Sequence, residues 1–567
     1  MKAHFELKNI LQNIDGEAYK SYKSIEGEYL FNDYTLYIDD VQGNPTTSPS
    51  SLRVKIAQSV ALFPRDTYSN RSREIALRDF ITRKFHEAIN KLSKTERGSG
   101  NSGLISIDNA GQQILERTSA FVNESFVEVR FTVGLPAFER EVAAKEAEAI
   151  FFDELPEIIR SALLFKNLDK DALYKHIETS EDADFLRNEL ENLKLIAFVA
   201  ENSILPRQSG TSSLPIESGA VPFISPDTLK MDVELPNKGQ ITGMGILRGI
   251  TLIVGEDNHG KSTLLKAIEQ GIYNHIPGDG REYVVSNPNS VKVRAEDGRS
   301  IHNVDISPFI KDLPSGDNTD SFSTQSASSG ISQAVNIIEA VEVGADVLLI
   351  DENTSANNFL YHNSNSRENA SEKYEYITPY IDNARNLYNE YMVSSILVIG
   401  RSEDYFGIAD FVIKMTDFKA QNMTQEATEI AHQRSDVQKI DSYFGTIRDR
   451  IPLVESLDSS KGGDNIEIPS NGISDIEFGS NIIDLSSIEQ IVSISQINAI
   501  RDAIQYAKKY MDGKKSFRQV TSLVMLDIGR SGLDVLTPRL SGDYAEFRKL
   551  ELAAAINRLR TLKVEQK

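Results

Sequence analysis

The chain has 567 residues, 40% hydrophobic and 25% charged, with 61 Lys and Arg against 83 Asp and Glu and a formal net charge of −22. That balance excludes a wholly basic nucleic-acid binder, and the length suits about two to four globular domains. The absence of cysteine excludes disulfides, thiolate zinc sites and Cys nucleophiles, and no run of about 18 apolar residues predicts a membrane span. The opening residues, MKAHFELKNILQNIDGEAYK, have neither signal-peptide nor transit-peptide character, so cytoplasm is the expected compartment.

Residues 1–165 mix short strands and helices, an α+β domain. Tyr34 to Gly43 reads as a strand and a turn. REIALRDFITRKFHEAINKL sets Ile75, Leu77, Phe80, Ile81, Phe85, Ile89 and Leu92 at helical spacing, with basic residues between them. From Arg53 to Arg97 there are eleven Lys or Arg and five Asp or Glu. The strip with Arg71, Arg73, Arg78, Arg83, Lys84 and Lys91 is either a solvated helix face or a contact for RNA phosphates. In FVEVRFTVG, Val127, Val129, Phe131 and Val133 alternate with Glu128, Arg130 and Thr132, the pattern of a half-buried strand. PRQSGTSSLPIESGAVPFISP predicts an ordered connection or lid without helix or strand.

Residues 166–445 form the expected core. ITLIV, DVLLID, SSILVIG and DFVIKM are strand-like runs alternating with helical stretches, which predicts an α/β domain with a mostly parallel sheet. ITLIV leads into Gly255, Gly260, Lys261 and Ser262 in the spacing G-x4-G-K-S, and a helical stretch with Leu264, Leu265 and Ile268 leads out. That is the strand–loop–helix setting of a phosphate-binding loop. Glycines let successive N–H groups turn inward, and a helix N-terminus favours anions. The candidate ATP-binding residues are Gly255, Asn258, His259, Gly260, Lys261, Ser262 and Thr263. Lys261 is expected on the β- and γ-phosphates and Ser262 on Mg²⁺. Asp351 ends the apolar run Val347–Ile350 and is the second expected Mg²⁺ group; Glu352 follows as candidate general base.

Upstream of that strand, Ser329, Gly330 and Gln333 resemble a degenerate ABC-ATPase signature. Ser329 and Gly330 open a helix whose face is Ala334, Ile337, Ile338 and Val341, and are candidates for the γ-phosphate held by a second subunit. Longer stretches support the resemblance, among them YTLYIDDVQGNP, SREIALRDF, IAFVAENSILPR, HGKSTLLKAIEQGIYNHIPGDGREYVV and SQAVNIIEAVEVGADVLLIDENTSANNF. On these the chain is similar to the "ATPase of the ABC class" family, which is distinct from transporters. The resemblance implies a P-loop NTPase core of ABC type, a family-specific N-terminal domain and a small C-terminal domain. It also implies ATP and Mg²⁺, a homodimer at least transiently, ATP hydrolysis and a role leaning toward RNA.

The chain departs from ABC-ATPase practice in three places. Arg401 stands where a switch histidine is usual, and an Arg can stabilise the developing charge instead. No aromatic occurs from Ile224 to Val254, which leaves Phe223 as a distant candidate for stacking the adenine. No glutamine loop is evident; Glu296 or Asp297 in RAEDGRS may take its place near the metal, or the segment is a plain turn. His275 and Asp279 invite a metal reading, but two ligands make no site, and the PGDG turn accounts for them.

After the core, Asp458 to Gly472 reads as a linker. Residues 446–567 are expected to be a small, mainly helical domain with helical patterns at Ile488 to Met511 and Phe547 to Leu562. The expected function is a dimerising ATPase that clamps or remodels RNA. The alternative is an ATP-dependent protein-interaction switch without nucleic acid, which the net charge favours slightly. A small-molecule kinase using the same loop is opposed by the Asp-Glu pair and the signature-like segment.

Overall fold

The computed structural model describes residues 1–313, 316–362, 377–400, 402–433, 443–457, 474–479 and 481–567. Arg401, the expected linker and residues 363–374 of the Ser/Asn-rich stretch after Glu352 lie outside the described residues. The chain forms two compact units, Met1–Glu181 with Leu533–Glu546, and Asp182–Gly532 with Phe547–Lys567.

In the first unit, strands Gly27–Leu30, Thr35–Asp40, Ser50–Ala57 and Phe126–Val133 neighbour one another in that order, antiparallel, within a seven-stranded sheet. Leu52 faces Phe131, Val54 faces Val129 and Ile56 faces Val127, all buried. These cross-strand apolar pairs are the unit of sheet stabilisation. The alternation predicts a polar, solvated opposite face, yet Glu128 and Arg130 are also buried. Arg130 is held by Asp534 at 2.6 and 2.8 Å, and Glu128 by Arg130 at 3.0 Å and Arg53 at 3.4 Å. A segment 404 residues downstream thus covers the second face.

Helix Arg71–Leu92 starts where the side chain of Asn70 accepts the Arg73 N–H at 3.0 Å, a cap for one of the first-turn donors. Leu77, Phe80, Ile81, Phe85 and Ile89 face the core. The basic strip does not form a band of free cations. Arg71 pairs with Glu74 (3.0 Å) and Glu116 (2.5 Å), Arg73 with Glu181 (2.8 Å), Arg83 with Asp79 (2.6 Å) and Lys84 with Glu87 (2.8 Å). Arg78 is buried between Glu74 and Glu116. The helix turns these five groups toward its own carboxylates and those of neighbouring segments, while Lys91, the sixth, is exposed near its end.

The second unit contains a four-stranded antiparallel sheet, ordered Lys230–Leu235, Gly239–Leu247, Leu195–Ala200, Val284–Ser286. Beside it in the same unit is a six-stranded sheet ordered Ser290–Val293, Val347–Asp351, Ser394–Val398, Ile250–Val254, Phe411–Thr416, Lys419–Asn422. Four of its recorded pairings are parallel, and the edge hairpin of the last two strands is antiparallel. The connection 201–226 carries no helix or strand. Every second residue of the inner strands (Ile253, Val347, Leu349, Ile396, Val398, Ile413) joins Leu264, Leu265 and Ile268 of helix Lys261–Gln270 in one apolar cluster. A parallel strand buried on both faces needs such a continuous apolar run, which is why all five residues of Ile250–Val254 are buried. In the C-terminal stretch, helices Ile494–Ala507 and Lys549–Asn557 lie within the expected patterns, and a further helix, Phe517–Ser531, stands between them.

Candidate functional site

Chain order and sheet order part company at Ile250–Val254. From it the chain goes to the far edge, returns through two strands, and then crosses to the other side. Ligands in open α/β sheets bind at such a switch point, beyond the carboxyl ends of the strands. The loop 255–260 leaves at that end. Gly255 has φ +133°, and a Cβ there would lie 2.3 Å from the carbonyl oxygen of Met415; Gly260 has φ +95°. Only glycine takes both positions without strain. Asn258 is left-handed as well (φ +63°), and His259 Nδ1 accepts the Asp417 N–H at 3.0 Å.

Lys261 lies inside this loop. Its Nζ donates to the carbonyls of Gly255 (2.6 Å) and Glu256 (2.9 Å) and is 3.4 Å from Asp257. Its side chain is only 8% exposed, so the ammonium is held at the helix N-terminus, where phosphate charge would be met. Ser262 is exposed on the first turn and Thr263 half-buried, while Leu264 and Leu265 turn inward.

The acidic pair stands at the same end. Register aligns Asp351 with Val398, and Val398 with Ile253. Asp351 is therefore two strand spacings from the strand that feeds the loop, roughly 10 Å. One of its carboxylate oxygens accepts the Asn353 N–H at 3.0 Å. Glu352 opens a 3₁₀ turn, and its carboxylate accepts the N–H of Gly400, the residue before Arg401. The exposed Ser262 hydroxyl and the Asp351 carboxylate are both hard oxygen donors, the set Mg²⁺ prefers, so the residues present fit that ion.

Ser329 and Gly330 begin helix Ser329–Glu342, which packs on the edge strand Ser290–Val293. That edge is three strand spacings from Ile250–Val254, roughly 14 Å. Gln333, fully buried, joins this helix to the segment after Glu352. It donates to Ser355 Oγ (2.8 Å) and accepts the Ala356 N–H (2.9 Å), and Ser355 donates to the Asp351 carbonyl (2.8 Å).

Other expected residues lie elsewhere. The Glu296 carboxylate is held by Arg558 and by Asn336 (2.8 Å), and Asp297 accepts from Ser329 Oγ at 2.5 Å. Glu296 thus ties helix Ser329–Glu342 to the C-terminal region, and Asp297 holds the first residue of that helix. Phe223 is 1% exposed in the apolar cluster, so it offers no face to a base. Asp279 is buried against Arg207 (2.7 Å) and His275 (2.8 Å). Burial raises its pKa, but His275 and Arg207 prevail and hold it below the usual carboxylate range. No cluster of three potential metal ligands occurs among the described residues, and none of their helices is long and apolar enough to cross a membrane.

Residue patterns also pass over two anchors of the C-terminal region. Arg450, fully buried, bonds Glu342 (2.7 Å), Glu339 (3.3 Å) and Asn557 (3.0 Å). Gln490 donates to the carbonyls of Glu269 (3.2 Å) and Ser290 (3.1 Å), and its Oε1 accepts the Lys292 N–H (3.1 Å). They fasten the C-terminal region to helix Ser329–Glu342, helix Lys261–Gln270 and the edge strand.

Family profiles and several known proteins match parts of this chain. Residues 4–166 match the family profile described as ATPase of the ABC class N-terminal, residues 169–450 that of the ABC_ATPase P-loop domain, and residues 467–565 the MRB1590 C-terminal domain. The uncharacterised protein MJ1628 of Methanocaldococcus jannaschii is 30% identical over 208 residues, 34% of this chain and 45% of that protein; the chain thus spans less than half the length of this curated relative. Among solved structures, cbiO1 from Clostridium perfringens, part of the ABC transporter complex cbiONQ, matches at 14% identity and a TM-score of 0.26, over 44% of this chain and 96% of that one. A bacterial Atm1-family ABC exporter with ATP bound matches at 12% and 0.24, over 49% and 52%. With a phosphate loop and an acidic pair at one end of its sheet, and family profiles over both the N-terminal and the P-loop regions, the chain belongs to the ABC-class ATPase family.

Proposed function

We propose that the chain binds ATP with Mg²⁺ at loop 255–260 and hydrolyses it at a site that a second copy completes. The observation that carries this reading is the register that brings Asp351 and Glu352 to the same sheet end as the loop holding Lys261. Loop N–H groups and Lys261 hold the β- and γ-phosphates. Ser262 and Asp351 hold the ion, which when bound supplies charge neutralisation on the phosphate oxygens. Glu352, oriented by the Gly400 N–H, takes the proton of the attacking water as the bond from the γ-phosphorus to the bridging oxygen breaks, giving ADP and phosphate. Arg401 is proposed to stabilise charge on the transferring group. Ser329 and Gly330, at the far edge of the sheet, reach the γ-phosphate of a second copy rather than their own.

Glu352→Gln tests the reading. ATP binding should persist, turnover should fall on the order of 10²-fold or more, and a dimer should accumulate with ATP and Mg²⁺. Hydrolysis at the wild-type rate would remove Glu352 as the base.

RNA as the object of the closing dimer is implied by the family resemblance and needs exposed cations. Five of the six cations expected to supply them are paired with carboxylates, and net charge is −22. Charge therefore favours the alternative, an ATP-dependent protein-interaction switch. Anisotropy of a labelled single-stranded RNA across a salt series separates the two. Affinity that falls as salt rises, with a log–log slope of roughly −0.7 per phosphate contacted, would restore the RNA reading.

A further inference from the structure

We propose that Phe418 is the platform on which the base of the bound nucleotide stacks, an inference that rests on the ATP reading above. Phe418 is the second residue of a two-residue hairpin loop. Thr416 pairs with Lys419 across the edge strands, leaving Asp417 and Phe418 between them with φ of +48° and +64°. Such loops need positive φ at both places and usually take Asn-Gly or Asp-Gly. A phenylalanine in left-handed backbone is strained, and this one is also 53% exposed. Neither turn geometry nor core packing explains an aromatic side chain here, and strain of this kind points toward a binding role.

Its position supplies the role. A Cβ on Gly260 would lie 3.3 Å from Phe418 Cδ1, so the ring flanks the last residue before Lys261. The hairpin is fastened to both ends of the loop, by the close approach of Gly255 to the Met415 carbonyl and by the hydrogen bond from Asp417 N–H to His259. A nucleotide whose phosphates sit at this helix N-terminus carries its base one ribose away, and the half-exposed ring beside Gly260 is an aromatic surface at that distance. The alternative aromatic, Phe223, is buried, and none occurs between Ile224 and Val254. Stacking uses the π-face that every base has, so the ligand class is a nucleoside triphosphate whose base is read by its face, with the polyphosphate read by the loop.

The test is isothermal titration of wild type, Phe418→Gly, Phe418→Tyr and Lys261→Ala with ATP and with inorganic tripolyphosphate, both with Mg²⁺. Phe418→Gly should weaken ATP about 5- to 150-fold, the range of base–aromatic stacking, and leave tripolyphosphate unchanged. Its melting temperature should hold or rise, because glycine takes positive φ without strain. Phe418→Tyr should keep ATP affinity, and Lys261→Ala should lose both ligands. Unchanged ATP affinity in Phe418→Gly, or an equal loss for ATP and tripolyphosphate, would overturn the proposal while leaving the ATP reading intact. A wild-type protein that binds neither ligand would overturn both.

Discussion

Replacing Gln333 with leucine keeps most of its volume and removes both of its hydrogen bonds. Gln333 is fully buried, and its amide holds Ser355 Oγ at 2.8 Å and the Ala356 N–H at 2.9 Å. Each such bond contributes about 1 kcal/mol net, and an orphaned buried partner costs a further 1–3 kcal/mol or so. Ser355 and Ala356 are only half-buried, so water can replace the lost partner and the lower end applies. The worked expectation is about 2 kcal/mol of destabilisation by urea unfolding. The functional effect should be larger than the loss of fold stability. Ser355 also donates to the Asp351 carbonyl (2.8 Å), so freeing it loosens the segment that carries Asp351 and Glu352. Steady-state hydrolysis should show kcat falling with ATP affinity nearly unchanged, since the phosphate loop is not touched. A Gln333→Leu protein with wild-type kcat would refute the idea that this amide sets the catalytic segment.

Gly255→Ala should abolish nucleotide binding, measured with a fluorescent ATP analogue, because the new Cβ would lie 2.3 Å from the Met415 carbonyl in a backbone at φ +133°; retained affinity would show that the loop tolerates rearrangement. The pH dependence of stability should carry the mark of Asp79. Burial works against its charge, but Arg83 and His176 prevail and hold its pKa at about 2, against 3.8 ordinarily. A carboxyl depressed on folding stabilises above its unfolded pKa and loses that contribution as pH falls through the folded one. Asp79→Asn should therefore cost about 2 kcal/mol at neutral pH, with the gap to wild type closing between about pH 4 and pH 2 in urea titrations. A gap independent of pH would show that the loss is packing alone.

Spacing alone makes the phosphate loop, the apolar strands and helix Arg71–Leu92 legible, because a strand repeats every second residue and a helix every third or fourth. The Gly, Lys and Ser of the loop are likewise neighbours in sequence. Helix Phe517–Ser531 was equally readable, with Phe517, Val520, Thr521 and Val524 on its buried face and the Ser516–Gln519 capping box before it. The tip Asp417–Phe418 carries a weaker signal, an Asp-Phe where Asp-Gly is usual. Partners three or four residues away, as for Arg71, Arg83 and Lys84, are readable locally; a partner in a distant segment is not. Arg73 meets Glu181 from 108 residues away, Arg130 meets Asp534 from 404, and Arg450 meets Glu342 from 108. Those pairings take Arg73 out of the apparently basic strip, bury a face that alternation assigns to solvent, and seat the C-terminal region on helix Ser329–Glu342. A side chain's type sets what it can bond, but a charge is neutral or free according to which distant segment packs beside it, and that is settled only when the apolar faces have closed.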